Sequence, residues 1–412
     1  MMEQERLSEL YGQMCRKAAR NAQKIGSDLR EFPGRRDGQY FAPPRDSLRP
    51  LSHIFCWTQS FFTGMALLAA EHTGDGALLR WCNSFYEEYR RKVFDTPRDT
   101  MHDLGFLYTL YSTLNWKLTG SSQMRDLSLQ AAQVLAHRFV PNGGYIQAWG
   151  RMDGTVPAYV DETLAKDNFF ANSKGLAIID CLMNLPLLFW AGQETGDPFY
   201  TQVAMAHADT TLRCFVRPDG SVCHAWRFDP ETGVPVAEFN DCGYGVGSHW
   251  ARGTAWAVYG FAVAWRYTGL DRYRDAALTI ARTYVAACGA DPIPVWDFRL
   301  PTGEPARYGG KTQDWPYWDI RDPKNRIFNV DSSAAAILCC GILELLGQQE
   351  YPDLRAYMEQ ASDRLLIDYL QTDPEFPGLL RRVNGTDTYG CFGDYFVMEL
   401  TARLLGKNIQ VW

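Results

Sequence analysis

Two aspartates stand where an acid could do chemistry. Asp180 is the one ionisable side chain in the apolar run Leu176-Ala177-Ile178-Ile179-Asp180-Cys181-Leu182-Met183-Asn184-Leu185-Pro186-Leu187-Leu188-Phe189-Trp190. A carboxylate buried alone is costly, so Asp180 must be hydrogen-bonded, paired, or raised in pKa until it keeps its proton near neutrality. The last condition is what a general acid needs; the others describe a structural aspartate bonded to a neighbouring helix. Asp103 opens a second apolar segment, Met101-His102-Asp103-Leu104-Gly105-Phe106, where it could cap a helix or face a cleft. Two carboxyls in one cleft point to glycosidic chemistry, and their separation is what distinguishes retaining from inverting routes.

Other chemistries find less support. The seven histidines lack H-E-x-x-H or an equivalent spacing, so no metal is expected. There is no P-loop, and Gly243-Tyr244-Gly245-Val246-Gly247 lacks the strand-turn-helix setting of a dinucleotide site. Ser332-Ser333 stands outside a G-x-S-x-G elbow and reads as packing or capping.

The element that must position Asp180 runs from Asn168 to Ala191 and is apolar on nearly all sides, as a helix buried by neighbours all round should be. Similar helices stop at Thr73-Gly74, Thr119-Gly120, Thr195-Gly196, Thr268-Gly269, Leu346-Gly347 and Leu405-Gly406, each glycine an expected left-handed cap. After the first five, amphipathic helices follow over Asp75 to Lys92, Ser121 to Arg138, Asp197 to Cys214, Asp271 to Ala287 and Glu350 to Leu370. A helix from Glu3 to Ile25 supplies a sixth. The intervals are too long for a short-period solenoid, and a ring needs no polar capping repeats. The expectation is an all-α, (α/α)6 toroid of six inner and six outer helices in one domain over residues 1–412, with its site in the funnel of inner-helix ends and loops. Turn-rich segments at Gly143-Gly144-Tyr145, Asp219-Gly220-Ser221, Pro292-Ile293-Pro294 and Pro301-Thr302-Gly303 add short strands.

Composition narrows the partners. A net charge of -7 argues against nucleic acid or an acidic membrane surface, and Arg90-Arg91-Lys92 reads as a solvated face. Aromatic residues make up 14% of the chain, with 13 Trp; core packing needs some of these, and a sugar-binding cleft would use others to cover the apolar faces of pyranoses. No apolar span is long enough to cross a bilayer, and the start of the sequence lacks the apolar core of a secretory signal. Eleven cysteines without paired C-x-x-C spacing read as reduced, buried thiols, so a cytoplasmic address is expected.

Motifs in order along nearly the whole chain carry a resemblance. They are Trp57-Thr58 with Phe61 and Gly64-Met65, His102-Asp103-Leu104-Gly105-Phe106, the run around Asp180, and His207-Ala208-Asp209-Thr210-Thr211. Arg217-Pro218-Asp219-Gly220-Ser221 with His224, Trp250-Ala251-Arg252-Gly253-Thr254-Ala255-Trp256, Asp331-Ser332-Ser333 and Gly393-Asp394-Tyr395-Phe396 complete them. The chain resembles the unsaturated glucuronyl hydrolases, family 88 of the glycoside hydrolases. The resemblance implies an (α/α)6 barrel acting on lyase-generated oligosaccharides that end in a 4,5-unsaturated uronic acid, by hydration of the double bond and without metal or organic cofactor. It implies Asp180 as general acid and base, Asp103 as its partner, His224 and Arg252 at the uronate, and Trp57, Phe61, Trp149, Trp250 and Trp256 as an aromatic wall. An unsaturated rhamnogalacturonyl hydrolase and a catalytically silent, saccharide-binding toroid are the alternative readings.

The sequence also departs from that family. Asn240-Asp241-Cys242-Gly243-Tyr244 stands where His-Gln-Gly-Tyr is common, so Cys242 replaces a substrate-contacting amide with a weaker hydrogen-bonding group. Ser60 stands where glycine is usual, Met152 to Lys166 reads as an extra loop over the cleft, and Arg381, Arg382 and Asn384 read as a subsite or a solvated loop.

Overall fold

Where the sequence carries Thr-Gly at a helix end, the chain turns the same corner four times. In the computed structural model of the protein, which describes residues 2–25, 57–155, 173–300, 326, 329–383, 389–407 and 409–412 with the backbone of 32–33, 40–41, 307–308 and 311–312, these corners share one hydrogen-bond scheme. The hydroxyls of Thr73, Thr119, Thr195 and Thr268 each donate to the carbonyl four residues back and accept the N–H two residues on. The glycine between has a φ of 69°, 72°, 74° or 68°, the left-handed region that a side chain would strain. Asp75, Ser121 and Asp197 then cap the next helix by accepting N–H groups of its first turn. Gly347 departs from the expectation: its φ is -66°, a helical value, and the N–H groups of Gln348 and Gln349 close the turn on Leu345 instead.

Outer and inner helices alternate along the chain. The order is outer α1 (Gln4–Ile25), inner α2 (Gln59–Thr73), outer α3 (Gly76–Asn83) with α4 (Tyr86–Phe94), and inner α5 (Leu104–Tyr108) with α6 (Leu114–Thr119), which a π-turn over Thr109–Thr113 joins. Outer α7 (Ser122–Ala136), inner α8 (Pro186–Thr195), outer α9 (Pro198–Phe215) and inner α10 (Ala251–Thr268) follow. Outer α11 (Asp271–Cys288), inner α12 (Ser332–Leu346), outer α13 (Pro352–Arg364) and inner α14 (Cys391–Leu404) end the series. α2 packs on α5, α5 on α8, α8 on α10, α10 on α12, α12 on α14, and α14 returns to α2, which closes the (α/α)6 toroid. Two outer members are less regular than expected, since α3 and α4 are separate helices and α13 runs into a π-turn over Leu365–Tyr369. Lys92, expected on a solvated face, is buried.

The inside of the ring is packed rather than open. Phe106 on α5 meets Trp256 on α10 with centroids 5.2 Å apart, and Trp256 meets Phe396 on α14 at 5.3 Å. Neither pair of helices is adjacent in the ring, so these rings touch across its axis and fill it. No helix among the described residues is long and apolar enough to cross a membrane.

Short antiparallel strands lie outside the ring. They are β1 (Phe32–Pro33) with β2 (Tyr40–Phe41), β3 (Phe139–Val140) with β4 (Tyr145–Ile146), the sheet of β5 (Leu176–Ile178), β6 (Ala225–Phe228) and β7 (Pro235–Phe239), and β8 (Arg307–Tyr308) with β9 (Lys311–Thr312). The sheet corrects the reading of 168–191 as one helix. Leu176–Ile178 is a strand with Ile178 opposite Ala225, Ile179–Met183 is a 3-10 turn, and the α-helix begins only at Pro186. Full burial removes the polar face that would have revealed the period, so an apolar run reads alike as strand or helix. Residues 156–166 of the expected extra loop, Pro301-Thr302-Gly303 and Asn384 lie outside the described residues.

Candidate active site

The chemistry-bearing residues gather where the inner helices begin. Trp57 precedes α2, Asp103 stands at the N-cap of α5, and Asp180 lies in the 3-10 turn before α8. Trp250 is the N-cap of α10, with Arg252 in its first turn, Asp331 is the N-cap of α12, and Phe392 is in the first turn of α14. Contacts draw five of these six starts together: Trp57 on Phe106 at 5.8 Å and on Phe392 at 5.0 Å, Arg252 on Phe392 at 5.0 Å, and Arg252 on Asp331 at 2.9 Å. Helix N-termini present unbonded N–H groups and a partial positive charge, so this end of the ring favours an anion.

The turn that carries Asp180 is wedged between two inner helices by glycines. A Cβ on Gly105 of α5 would lie 2.2 Å from Asn184 Cα, and one on Gly260 of α10 would lie 2.5 Å from Leu182 Cβ. Asn184 locks the contact, its Oδ1 accepting the Phe106 N–H at 2.7 Å and its Nδ2 donating to the Asp180 carbonyl at 3.2 Å. On the other side the Ile179 N–H donates to the His224 carbonyl at 2.9 Å. Asp103 and Asp180 are thereby tied to one another through backbone contacts.

Asp103 sits at an N-cap but does not cap, for its side chain makes no bond to the helix N–H groups. Its Oδ1 lies instead 3.2 Å from Nε2 of the buried His102. Burial pushes Asp103 up to about 8, with the negative charge of Asp180 adding to the rise and the Asn184 amide opposing it. Burial likewise raises Asp180, to about 6, against the pull of Arg252; Asp241 adds to the rise, and the nearby Trp256 indole N–H opposes it without meeting hydrogen-bond geometry. Both acids are thus biased towards the protonated form, as one coupled pair.

Each acid faces a histidine of fixed tautomer. His102 Nδ1 accepts the Trp149 N–H at 3.2 Å, and His224 Nδ1 accepts the Asp241 N–H at 3.0 Å. A ring nitrogen that accepts carries no proton, so the proton is on Nε2 in both. His224 Nε2 lies 4.0 Å from Asp180 Oδ2. Burial holds His102 well below the usual histidine range and His224 at about 3, so both are neutral near pH 7.

The remaining expected site residues divide by depth. Trp57 and Trp149 are half-buried, whereas Phe61, Trp250 and Trp256 are buried and back the cleft rather than line it. Arg252, expected to fork a uronate, has Nη1 engaged 2.9 Å from Asp331 Oδ2 and its guanidinium 4.7 Å from the Trp250 ring. Cys242 has its Sγ 3.7 Å from Asp241 Oδ2, and Ser60 bonds the Tyr89 hydroxyl at 2.7 Å in the core. Arg381 is exposed and Arg382 half-buried with a φ of 60°, their carbonyls held by the Ser332 hydroxyl. Among the described residues no group of three His, Cys, Asp or Glu could hold a metal ion.

Two positioning residues escaped the sequence reading. Asn184 carried a signal, an amide in an apolar run, but one that Asp180 overshadowed. Arg138 carried none: it is buried at the end of an outer helix and donates to the carbonyls of Thr100, Gln147, Trp149 and Gly150. That clamp joins the loop before Asp103 to the loop of Trp149, whose φ of 39° is strained for a residue with a side chain.

The chain is similar in sequence and fold to known proteins. The profile of Glycosyl Hydrolase Family 88 matches residues 39–288. An unsaturated glucuronyl hydrolase of Bacillus sp. (strain GL1) is 33% identical over 399 residues, 94% of this chain and 93% of that protein. An unsaturated chondroitin disaccharide hydrolase of Streptococcus pyogenes serotype M1 is 32% identical over 86% of this chain and 83% of its own length. The crystal structure of the unsaturated glucuronyl hydrolase of Bacillus sp. GL1, described as responsible for the degradation of glycosaminoglycan, superposes with a TM-score of 0.78 at 32% identity, covering 97% of this chain and 96% of that one.

Proposed function

Because the chain belongs to glycosyl hydrolase family 88, we propose that it removes the 4,5-unsaturated uronic acid from the non-reducing end of lyase-generated, glycosaminoglycan-type oligosaccharides. One observation carries the reading: two carboxyls, Asp103 buried and Asp180 with its side chain 14% exposed, both biased towards the protonated form, stand at the converging starts of the inner helices. Relatives named for unsaturated glucuronyl and chondroitin disaccharide substrates support the substrate class.

An unsaturated uronate is a vinyl ether. Asp180 gives its proton to C4, and positive charge develops at C5, where the ring oxygen shares it. Water adds at C5 and yields its proton to the Asp180 carboxylate, which restores the acid. The resulting hemiketal opens and releases the next sugar. Asp103 holds sugar hydroxyls and titrates with Asp180 as one coupled pair, keeping its own proton after Asp180 has lost one. His224 offers Nε2–H as a donor beside Asp180, and Arg252 with the helix starts supplies the positive potential for the uronate carboxylate. Trp57 and Trp149 cover sugar faces, with Phe61, Trp250 and Trp256 behind them. The route calls on no metal or organic cofactor. A cytoplasmic address belongs to the same proposal and is supported by the cysteines among the described residues being free thiols.

Hydration removes the ultraviolet absorbance of the conjugated double bond, so turnover is read directly. Disaccharides from chondroitin and heparin should bleach faster than those from pectin. Asp180→Asn should lose roughly 10²–10⁴-fold in kcat while still binding, and heavy water should leave deuterium on C4 of the product. Retained turnover in that variant, or no deuterium at C4, overturns the acid assignment. Faster bleaching of the pectin products would favour the rhamnogalacturonyl reading, and binding without bleaching in the wild type the silent toroid.

A further inference from the structure

The segment in which the chain departs from its family pattern, Asn240-Asp241-Cys242, is the one that fixes His224. The N–H groups of Asp241 and Cys242 reach His224 Nδ1 at 3.0 and 3.4 Å, and His224 Nε2 faces Asp180 Oδ2. The Asp241 backbone therefore belongs to the same wall as Asp180, and its carboxyl, with the Cys242 thiol beside it at 3.7 Å, lies within electrostatic reach of Asp180. Burial raises the Asp241 carboxyl and the Cys242 thiol opposes the rise.

The charges around Asp180 come from four directions. Asp103 approaches from the start of α5, Arg252 from α10, and Asp331 lies behind Arg252 at the start of α12. His224, neutral, and Asp241 approach from the loops flanking β6 and β7. Arg252 favours loss of the Asp180 proton and Asp241 opposes it, whereas Asp103, itself raised by the Asp180 charge, is still protonated when Asp180 ionises. We propose, building on the hydration reading above, that Asp241 is a positioning residue for the Asp180 proton, its carboxylate offsetting Arg252 so that Asp180 remains an acid to higher pH. Asp241 is half-buried and keeps part of its solvation, which favours its charged form.

Asp241→Asn removes the charge and keeps the shape, and Asp241→His introduces the residue usual in the family pattern. In the full chain, with an unsaturated chondroitin disaccharide, the alkaline limb of kcat should move down by roughly one pH unit in Asp241→Asn, a tenfold loss of the acid form above the limb, and at least as far in Asp241→His. Carboxyl titration of Asp180 by carbon-13 NMR should move the same way, independently of turnover. Cys242→Gln should change KM and leave the limb in place. An unmoved limb and titration in Asp241→Asn overturn the proposal, as does a Cys242→Gln shift of equal size, which would assign the effect to loop packing. If the wild type bleaches no substrate the hydration reading fails, while the NMR titration still decides this proposal.

Discussion

A carboxyl kept protonated by burial serves catalysis at a cost to stability, and the sign of that cost is fixed. Asp103 has a folded pKa of about 8 against an ordinary value near 4. Its contribution to stability is fully present below the unfolded value and is lost as pH rises through the folded one. Asp180, raised to about 6, acts in the same direction over a narrower window. Asp103→Asn, which cannot ionise, should therefore be more stable than wild type by more than about 1 kcal/mol at pH 8, with the difference closing towards pH 4. Urea melts at the two pH values measure this. An advantage that grows towards acid would mean that Asp103 is held as a carboxylate, and the acid pair would have to be reassigned. The neutral histidines act in the opposite direction, since His224 is held at about 3 against an unfolded value near 6.5 and costs stability as pH falls below that value, but they do so equally in both proteins and cancel in the comparison.

At the level of elements, the site depends on a 3-10 turn too tightly held for a methyl group to enter. A Cβ at Gly105 would meet the Asn184 backbone at 2.2 Å, and backbone cannot swing aside as a side chain can. Gly105→Ala should cost at least about 1–3 kcal/mol and, by shifting Asn184 and the Asp180 carbonyl it bonds, lower kcat more than the stability loss explains. Thermal melts with kcat measured well below the melt test this, and an Ala variant of lower stability with wild-type kcat would show the wedge to be unrelated to the acid. This contact was not legible in the sequence, where Gly105 was one letter of a motif. Local corners were legible: Thr and Gly at Thr73-Gly74 or Thr268-Gly269 encode a cap through their own hydrogen bonds and φ. The amphipathic outer helices showed their period because one face stays wet. The turn at Asp180 hid its period because every side is covered, and Arg138 hid its role because its partners are carbonyls brought together only by the fold. Asp103 and Asp180 were legible as acids out of place, whereas Phe61 and Trp250 could not be assigned to lining or backing from the sequence, since depth is set by the whole ring.

Across the whole molecule, the ring must be plugged at one end for the other to serve as a cleft. Trp412 lies stacked on Phe396, with centroids 6.1 Å apart and planes at 9°, and meets Phe106 edge-on at 5.9 Å. Its Nε1 donates to Glu399 Oε2 at 2.9 Å, Glu399 also accepts the Tyr259 hydroxyl, and the Trp412 carbonyl accepts from Arg266. Phe106 in turn touches Trp57 and Trp256, so one aromatic column runs from the plug to the floor of the cleft. Such a column can act as a stabilising core alone or also transmit disorder to the acids, and a deletion at its far end separates the two. Trp412→Ala removes a buried indole and leaves Glu399 short of a donor, a loss of about 3–5 kcal/mol. The acids are held by local devices, Asn184, Gly105 and the backbone locks on His102 and His224, whose hydrogen bonds and close approaches are made with one another's segments and not with the Trp412 indole. The variant should therefore melt several degrees lower yet keep kcat within about twofold below its melt, since no transition-state contact is removed. A fall in kcat of tenfold or more in protein still folded would mean that the column couples the plug to the site, and that its packing, as well as the local locks, sets the geometry of the acid pair.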